Sequence, residues 1–435
     1  MNFNESVQYL LSLGHETLAI KLGLKNIEIL LTALGNPENS FLKVQIAGTN
    51  GKGSTSAMLE SIARFAGIET GLYTSPHLIN ITERIKINNT EISEEDFARF
   101  CFGVKETSEK LVEEKRLETL PTFFEQITAI ALLAFREAGI ELAILETGLG
   151  GRLDATTATQ AEIVGITPIA FDHQEYLGNT LAEIAFEKAS IIRANVKAII
   201  APQEAEAISV ILERCKEYNI EPIIDACTYN IENISEVGRI IATFKTTQNS
   251  ELRTQNSEVY PNVKMNLRGR HQLVNASTAI CLAESLDDFG FRVSRAAVIE
   301  GLETALHKGR LEMWDDRTPA ILFDGAHNVA GVQSLRDYLQ EFVSQPITLI
   351  FGAMREKEID EIAALLFPLA KEIILTKPDS PRAASLESFA VKFNAKITST
   401  VKDALTLAQE ITPIEGLICV TGSLYLVGEA QQIRD

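Results

Sequence analysis

Apolar positions along this chain come in short runs separated by amphipathic stretches, and their spacing predicts the elements. Leu42–Ala47 reads as a buried strand and Lys52–Ala66 as the helix after it. Leu142–Leu145 and Ile163–Thr167 are further strands, Leu181–Ile192 a helix, Ala198–Ala201 a strand and Glu204–Tyr218 a helix. Strand–helix alternation of this kind predicts a mostly parallel sheet covered on both faces. Residues 239–267 differ, because RIIATFKTT and VYPNVKMNLRG alternate more like antiparallel strands, joined by the polar stretch QNSELRTQNSE. A helix from His271 to about Asp288 follows, then one from about Ser294 to Ala305. From about Gly309 the alternation restarts, with strand candidates Ala320–Phe323, Thr348–Phe351, Ile373–Thr376 and Leu417–Val420. The fold class expected is α/β in two units, a larger one over residues 1–304 and a smaller one over 309–435.

Composition narrows the class. At 435 residues the length fits two or three domains of about 150 residues each. Apolar residues at 46 % and charged residues at 23 % are ordinary globular values. No apolar run approaches the roughly 18 residues of a membrane helix, and MNFNESVQYLLSLGH has Asn and Glu where a secretory signal carries basic residues. A cytoplasmic protein with no membrane partner is expected. Cys101, Cys215, Cys227, Cys281 and Cys419 are scattered without a CxxC pair, which argues against a zinc site and a disulfide frame. The net charge of −19 disfavours nucleic acid as a partner. It leaves anionic substrates possible, since charges beyond about 8 Å are largely screened.

The strongest local feature is Ala47-Gly48-Thr49-Asn50-Gly51-Lys52-Gly53-Ser54-Thr55, set between an apolar strand and an amphipathic helix. Glycines let the backbone turn tightly and aim amides at phosphate oxygens, and the helix N-terminus favours negative charge. Lys52 would reach the terminal phosphates, and Ser54 or Thr55 would offer a hydroxyl near magnesium. The spacing departs from GxxxxGK[ST], and the plainer alternative is a Gly-rich turn with an exposed lysine.

Further polar clusters follow other strands, where a doubly wound sheet opens its ligand crevice. Ser75, in Thr74-Ser75-Pro76-His77, is either a metal or phosphate ligand or part of a Ser-Pro turn. Glu146 precedes Gly148, Gly150, Gly151 and Arg152; beside a triphosphate a carboxylate needs a cation, so Glu146 reads as a magnesium ligand, or else as a surface glutamate before a flexible loop. His173, after Asp172, is either a structural histidine or, paired with Glu146 across neighbouring strand ends, a candidate ligand for a second metal. Leu181, Ile184, Lys188 and Ile191 share one helix face. A lysine there either snorkels to the edge or has its charge paired or removed. In the second unit Asp324 and His327 are expected to be exposed at a strand end facing a cleft, unless Asp or Asn merely caps the next helix.

Taken together, GTNGKGS at Gly48–Ser54, TSPHL at Thr74–Leu78, TFFE at Thr122–Glu125, ETGLGGRLDAT at Glu146–Thr156, DH with LG at Asp172–Gly178, EKA at Glu187–Ala189 and DGAHN at Asp324–Asn328 resemble the folylpolyglutamate synthase and dihydrofolate synthase family, within the Mur ligase superfamily. The resemblance spans from about residue 40 to the final helix. It implies an N-terminal P-loop ATPase domain and a C-terminal Rossmann-like glutamate-ligase domain, with the active site between them. By similarity Ser75 and Glu146 would hold one magnesium and His173 a second. Lys188 would be carbamylated, which needs the neutral amine that burial supplies. Asn275, Arg310 and Asp324 look like ATP contacts, and His327 like a cleft histidine. The activity implied is ATP-dependent addition of L-glutamate to folate, to dihydropteroate, or to both, through an acyl phosphate; a monomer is expected. Another Mur-type ligase acting on peptidoglycan precursors and a non-catalytic nucleotide-binding regulator are the alternatives. Val329 and Ser190 depart from the Pro and Gly that the family commonly has there.

Overall fold

In the computed structural model, which describes residues 1–14, 23–235, 237–247, 258–355 and 357–433, eight strands form the first sheet. They are β1 (Leu42–Ala47), β2 (Thr70–Tyr73), β3 (Ile85–Ile87), β4 (Thr90–Glu91), β5 (Leu142–Glu146), β6 (Ile163–Ile166), β7 (Lys197–Ile200) and β8 (Ile223–Ile224), in the order β4-β3-β2-β5-β1-β6-β7-β8. The six strands from β2 to β8 in that order run parallel, and β3 and β4 extend the edge as an antiparallel hairpin.

Side-chain alternation explains why both faces are covered. Val44 and Ile46 of β1 enter one apolar cluster while Ala47 enters another across the sheet. On β5, Leu142 and Ile144 go one way, Ala143 and Leu145 the other. A strand that is apolar on both sides needs helices on both sides. The helices Lys52–Phe65, His271–Ser285 and Arg295–Thr304 cover one face. Glu94–Glu113 and Phe123–Ala138, then Leu181–Ala189 and Ala205–Glu217, cover the other.

A three-stranded antiparallel sheet, β9 (Cys227–Ile234), β10 (Ile240–Thr246) and β11 (Val259–Lys264), packs on the first of these layers. Alternate residues of β10 are buried, as the patterning predicts. The joining stretch 248–257 lies outside the described residues. Patterning did not single out β9, whose outward positions Thr228, Asn230 and Glu232 are polar and whose apolar content is thin.

Six strands make the second large sheet: β12 (Glu312–Trp314), β13 (Ala320–Asp324), β14 (Ile347–Phe351), β15 (Glu372–Leu375), β16 (Lys396–Ile397) and β17 (Leu417–Thr421). Their order is β12-β13-β17-β14-β15-β16, parallel except for β12. Helices again flank both faces, so the fold is α/β throughout. Among the described residues no helix is long and apolar enough to cross a membrane.

Two helices end earlier than their periodicity suggests. The one expected to reach Ile192 stops at Ala189, where the Ser190 hydroxyl bonds back to Phe186 O at 2.7 Å. The one expected to reach Asp288 ends at Ser285 in a 3₁₀ turn, Leu286–Phe289, closed by Gly290 at φ +91°.

Candidate active site

β1 lies at the centre of its sheet, and its register brings several polar groups to one edge. Ile46 pairs with Glu146 on β5, Ala47 with Ile166 on β6, and Tyr73 of β2 with Leu145. The Gly48–Ser54 loop, Glu146, Thr167 and Ser75 therefore all sit beyond carboxyl ends of strands, at the crevice of a doubly wound sheet.

The loop glycines are dictated by close approach. A Cβ on Gly48, at φ +148°, would lie 1.9 Å from Thr167 Oγ1, and one on Gly51, at φ +87°, would lie 2.2 Å from Asn275 Oδ1. The amides of Thr49 and Asn50 donate to Pro168 O, and the Thr49 hydroxyl donates to Ala170 O at 3.0 Å. Phosphate donors must then come from the first turn of the helix beginning at Lys52, whose leading amides have no intrahelical acceptor. Lys52 Nζ folds back onto Gly48 O and Thr49 O, at 3.2 and 3.3 Å. Asn50 exchanges side-chain hydrogen bonds with Asn328 of the second sheet unit.

Glu146 is buried and accepts the Ser75 amide at 3.2 Å. Burial raises its pKa, against the pull of Lys52 and Arg310. Among the described residues no three His, Cys, Asp or Glu side chains gather as a metal site. One carboxylate, one hydroxyl and nucleotide phosphates are what a magnesium ion uses, since it keeps several waters and takes few protein ligands. The buried Thr55 Oγ1, which lacks a hydrogen-bond partner among the described residues, is a further oxygen in the first turn of the helix Lys52–Phe65. The residues present fit ATP with a divalent cation.

Lys188 resolves the choice its helix face left open. It is buried, its Nζ donates to Gly48 O at 2.7 Å, and burial, seconded by Lys52, lowers its pKa to about 7. It does not snorkel. Close by, Gly151 packs on the end of its helix; a Cβ there would meet Glu187 O at 2.7 Å. Asp154, which patterning did not single out, accepts amides of Gly148 and Leu149 and the Thr156 hydroxyl, so it shapes this glycine loop.

His173 sits at φ +51° ahead of a one-turn helix, and burial lowers its pKa to about 3. No hydrogen bond links it to Glu146; its ring lies 3.9 Å from Asp172. Asp172 is the hub between the two sheet units. It pairs with Lys357, accepts Asn328 Nδ2 at 2.9 Å, and lies 3.5 Å from His327 Nε2. Burial works to raise its pKa, but His327, His173 and Lys357 hold it well below the usual carboxylate range.

Asp324, expected to be exposed, is buried and accepts the amides of Leu311 and Ala326, both at 2.9 Å. The chain entering β12, which pairs with β13, lays the Leu311 amide on its carboxylate. Asp324 caps no helix; Asn328 does, accepting Gly331 N at 2.8 Å. Burial raises the Asp324 pKa, with Arg310 opposing. His327 Nδ1 donates to Gly325 O at 2.8 Å. Asn275 donates to Gln272 Oε1 at 2.9 Å.

Two cavities meet here. One, about 590 Å³, runs past Gly53, Glu146, His307 and Arg310. The other, about 160 Å³, is lined by Phe124, Leu149 and Leu153 on one side and by His327, Lys357 and Arg382 on the other. Ser75, Pro76 and Leu424 line both. Lys357 and Arg382 carry no local sequence signal, because isolated cations on the surface of an α/β unit are common and only docking gives these two a cleft.

Residues 46–283 match the Mur ligase middle domain and residues 309–424 the Mur ligase glutamate ligase domain. The chain is 32 % identical over 427 residues to the dihydrofolate synthase/folylpolyglutamate synthase of Bacillus subtilis, covering 96 % of each. It superposes with a TM-score of 0.88 and 27 % identity on Mycobacterium tuberculosis folylpolyglutamate synthase complexed with ADP, over 100 % of both chains. A bifunctional folylpolyglutamate synthase/dihydrofolate synthase with Mn, AMPPNP and L-glutamate bound matches at a TM-score of 0.84 and 26 % identity, over 99 % of this chain and 98 % of the other.

Proposed function

The chain belongs to the Mur ligase family, in its folylpolyglutamate and dihydrofolate synthase branch, and we propose that it is an ADP-forming ligase joining L-glutamate to a folate or dihydropteroate carboxylate. The observation that carries this reading is the meeting of the two cavities at Ser75, which sets a phosphate loop beside a pocket with one apolar and one cationic wall. A flat pterin-type acceptor suits Phe124, Leu149 and Leu153; the carboxylates of an amino acid suit Lys357 and Arg382.

A carboxylate resists attack by an amine until one oxygen becomes a leaving group. In this reading Lys52 and the first-turn amides hold ATP, with Asn275 bracing Gly51, Arg310 lining the phosphate-loop cavity, and buried Asp324 acting on Arg310 from behind it. Ser75 and Glu146 would hold one divalent cation and His173 with a carbamylated Lys188 a second; bound there, they would neutralise charge between the phosphates and the incoming carboxylate. The remaining catalysis is positioning. The second-lobe wall orients the glutamate amine toward the acyl phosphate, and the closed cleft keeps water from it. Asp324 already accepts two backbone amides and His327 Nδ1 keeps its proton against Gly325 O, so a base for the amine proton would be Nε2 of the neutral His327 ring.

We place the division between the two units at residues 304–309, and take the enzyme to act as a monomer in the cytoplasm with no nucleic-acid partner. The test is ADP release with dihydropteroate or tetrahydrofolate, each with and without glutamate. Release that needs both acceptor and glutamate supports the ligase; nucleotide binding without it points to a regulator, and turnover only with UDP-linked peptides points to the peptidoglycan branch.

A further inference from the structure

The segment that joins the helix Arg295–Thr304 to β12 carries His307 into the phosphate-loop cavity. Its ring lies edge-on against the loop, so that a Cβ on Gly53 would be 2.5 Å from His307 Cε1 and 2.8 Å from Nε2. That same point is 3.4 Å from Glu146 Oε2. Gly53 is therefore fixed by the imidazole as much as by the turn. The ring's other nitrogen is engaged: Nδ1 lies 3.1 Å from Ser54 Oγ, and Ser54 Oγ also accepts Gln272 Nε2 at 3.3 Å. While Ser54 Oγ accepts the amide, its own proton is free for Nδ1, the arrangement in which hydroxyl and ring each have a donor and an acceptor in use. The imidazole then carries its own proton on Nε2, and that N–H is left beside the first-turn amides and the Glu146 carboxylate. Ser54, which the loop pattern assigns to magnesium, is turned to this task instead.

We propose that His307 is a nucleotide-binding residue whose Nε2–H donates to a phosphoryl oxygen of ATP at the first turn of the loop helix, with Ser54 and Gln272 setting its tautomer. This rests on the nucleotide half of the ligase reading and not on the identity of the acceptor. A neutral donor at that place adds to the amides without adding a charge beside Lys52, and it comes from the connector between the two sheet units, so nucleotide binding fixes that connector.

The test is calorimetric binding of β,γ-imido-ATP with Mg²⁺, and of adenosine, to the full chain and to His307→Ala, His307→Gln and Ser54→Ala. His307→Ala should weaken β,γ-imido-ATP roughly tenfold, as expected for a hydrogen bond to a charged group, and leave adenosine unchanged. His307→Gln, which keeps an N–H at similar reach, should recover most of the loss. Ser54→Ala should weaken binding by about threefold and add little on top of His307→Ala, since the two act through one contact. Unchanged β,γ-imido-ATP affinity in His307→Ala overturns the proposal, as does an equal loss for adenosine that Gln fails to restore, which marks a merely structural ring. A parent chain that binds the nucleotide yet releases no ADP with acceptor and glutamate refutes the ligase reading while leaving this one standing.

Discussion

Single residues carry the chemistry, and the sharpest expectations belong to them. Lys52→Ala or Glu146→Ala should abolish ligation while circular dichroism stays that of the parent. Lys52 is partly exposed and held only by two carbonyls, and Glu146 is a desolvated carboxylate whose removal relieves burial. Parent-like ADP release in either variant removes the phosphate and metal site from its proposed place. Lys188 invites a different test. With its pKa near 7, a sizeable neutral fraction is available to add CO₂ at neutral pH. Activity should fall in CO₂-depleted buffer and return with bicarbonate, and Lys188→Gln should lose roughly 100-fold or more and show no bicarbonate response. Insensitivity of the parent to CO₂ would sink carbamylation.

At the scale of elements, the helices Lys52–Phe65 and Arg295–Thr304 cross so closely that backbone meets backbone. A Cβ on Gly301 would lie 2.5 Å from Ile62 Cα and 2.7 Å from Ile62 N. Unlike a clash with a side-chain tip, this cannot be relieved by a rotamer change. Gly301→Ala should destabilise the fold by about 2 kcal/mol, seen as a lower urea midpoint. Because the first of these helices presents the phosphate loop, ATP affinity should weaken with it. A midpoint equal to the parent's would show that the two helices separate freely.

On the scale of the whole molecule, Asp172 fastens the two sheet units together. Its pKa in the folded chain lies below that of an unfolded aspartate, about 3.9, so the folded state favours the ionised form. The stability it contributes is present above about pH 4 and fades as the pH falls further. Asp172→Asn, which leaves Lys357 buried without its charge partner, should cost about 3 kcal/mol at pH 7. That deficit should shrink as the pH drops from 4 to 3 in denaturant titrations. A deficit that grows in acid would contradict the assignment.

The sequence by itself determined whatever depends on neighbours along the chain. Apolar runs set the parallel strands, glycines around Lys52 set a tight turn between strand and helix, and the position of Lys188 on an apolar face narrowed it to snorkelling or a paired or neutral burial. Each is encoded within about ten residues, through a period, a turn or a cap. Even Gly48 and Gly51 were legible as glycines, although only the fold shows that Thr167 and Asn275 demand them. Tertiary structure decided the rest. It paired Asp172 with Lys357 across 185 positions, pressed His307 onto Gly53, buried Asp324 against the Leu311 and Ala326 amides, and made Lys357 and Arg382 a cationic wall. These follow from strand order and from docking of the second unit, and an isolated charge in the sequence looks the same whether it ends in a cleft or in water.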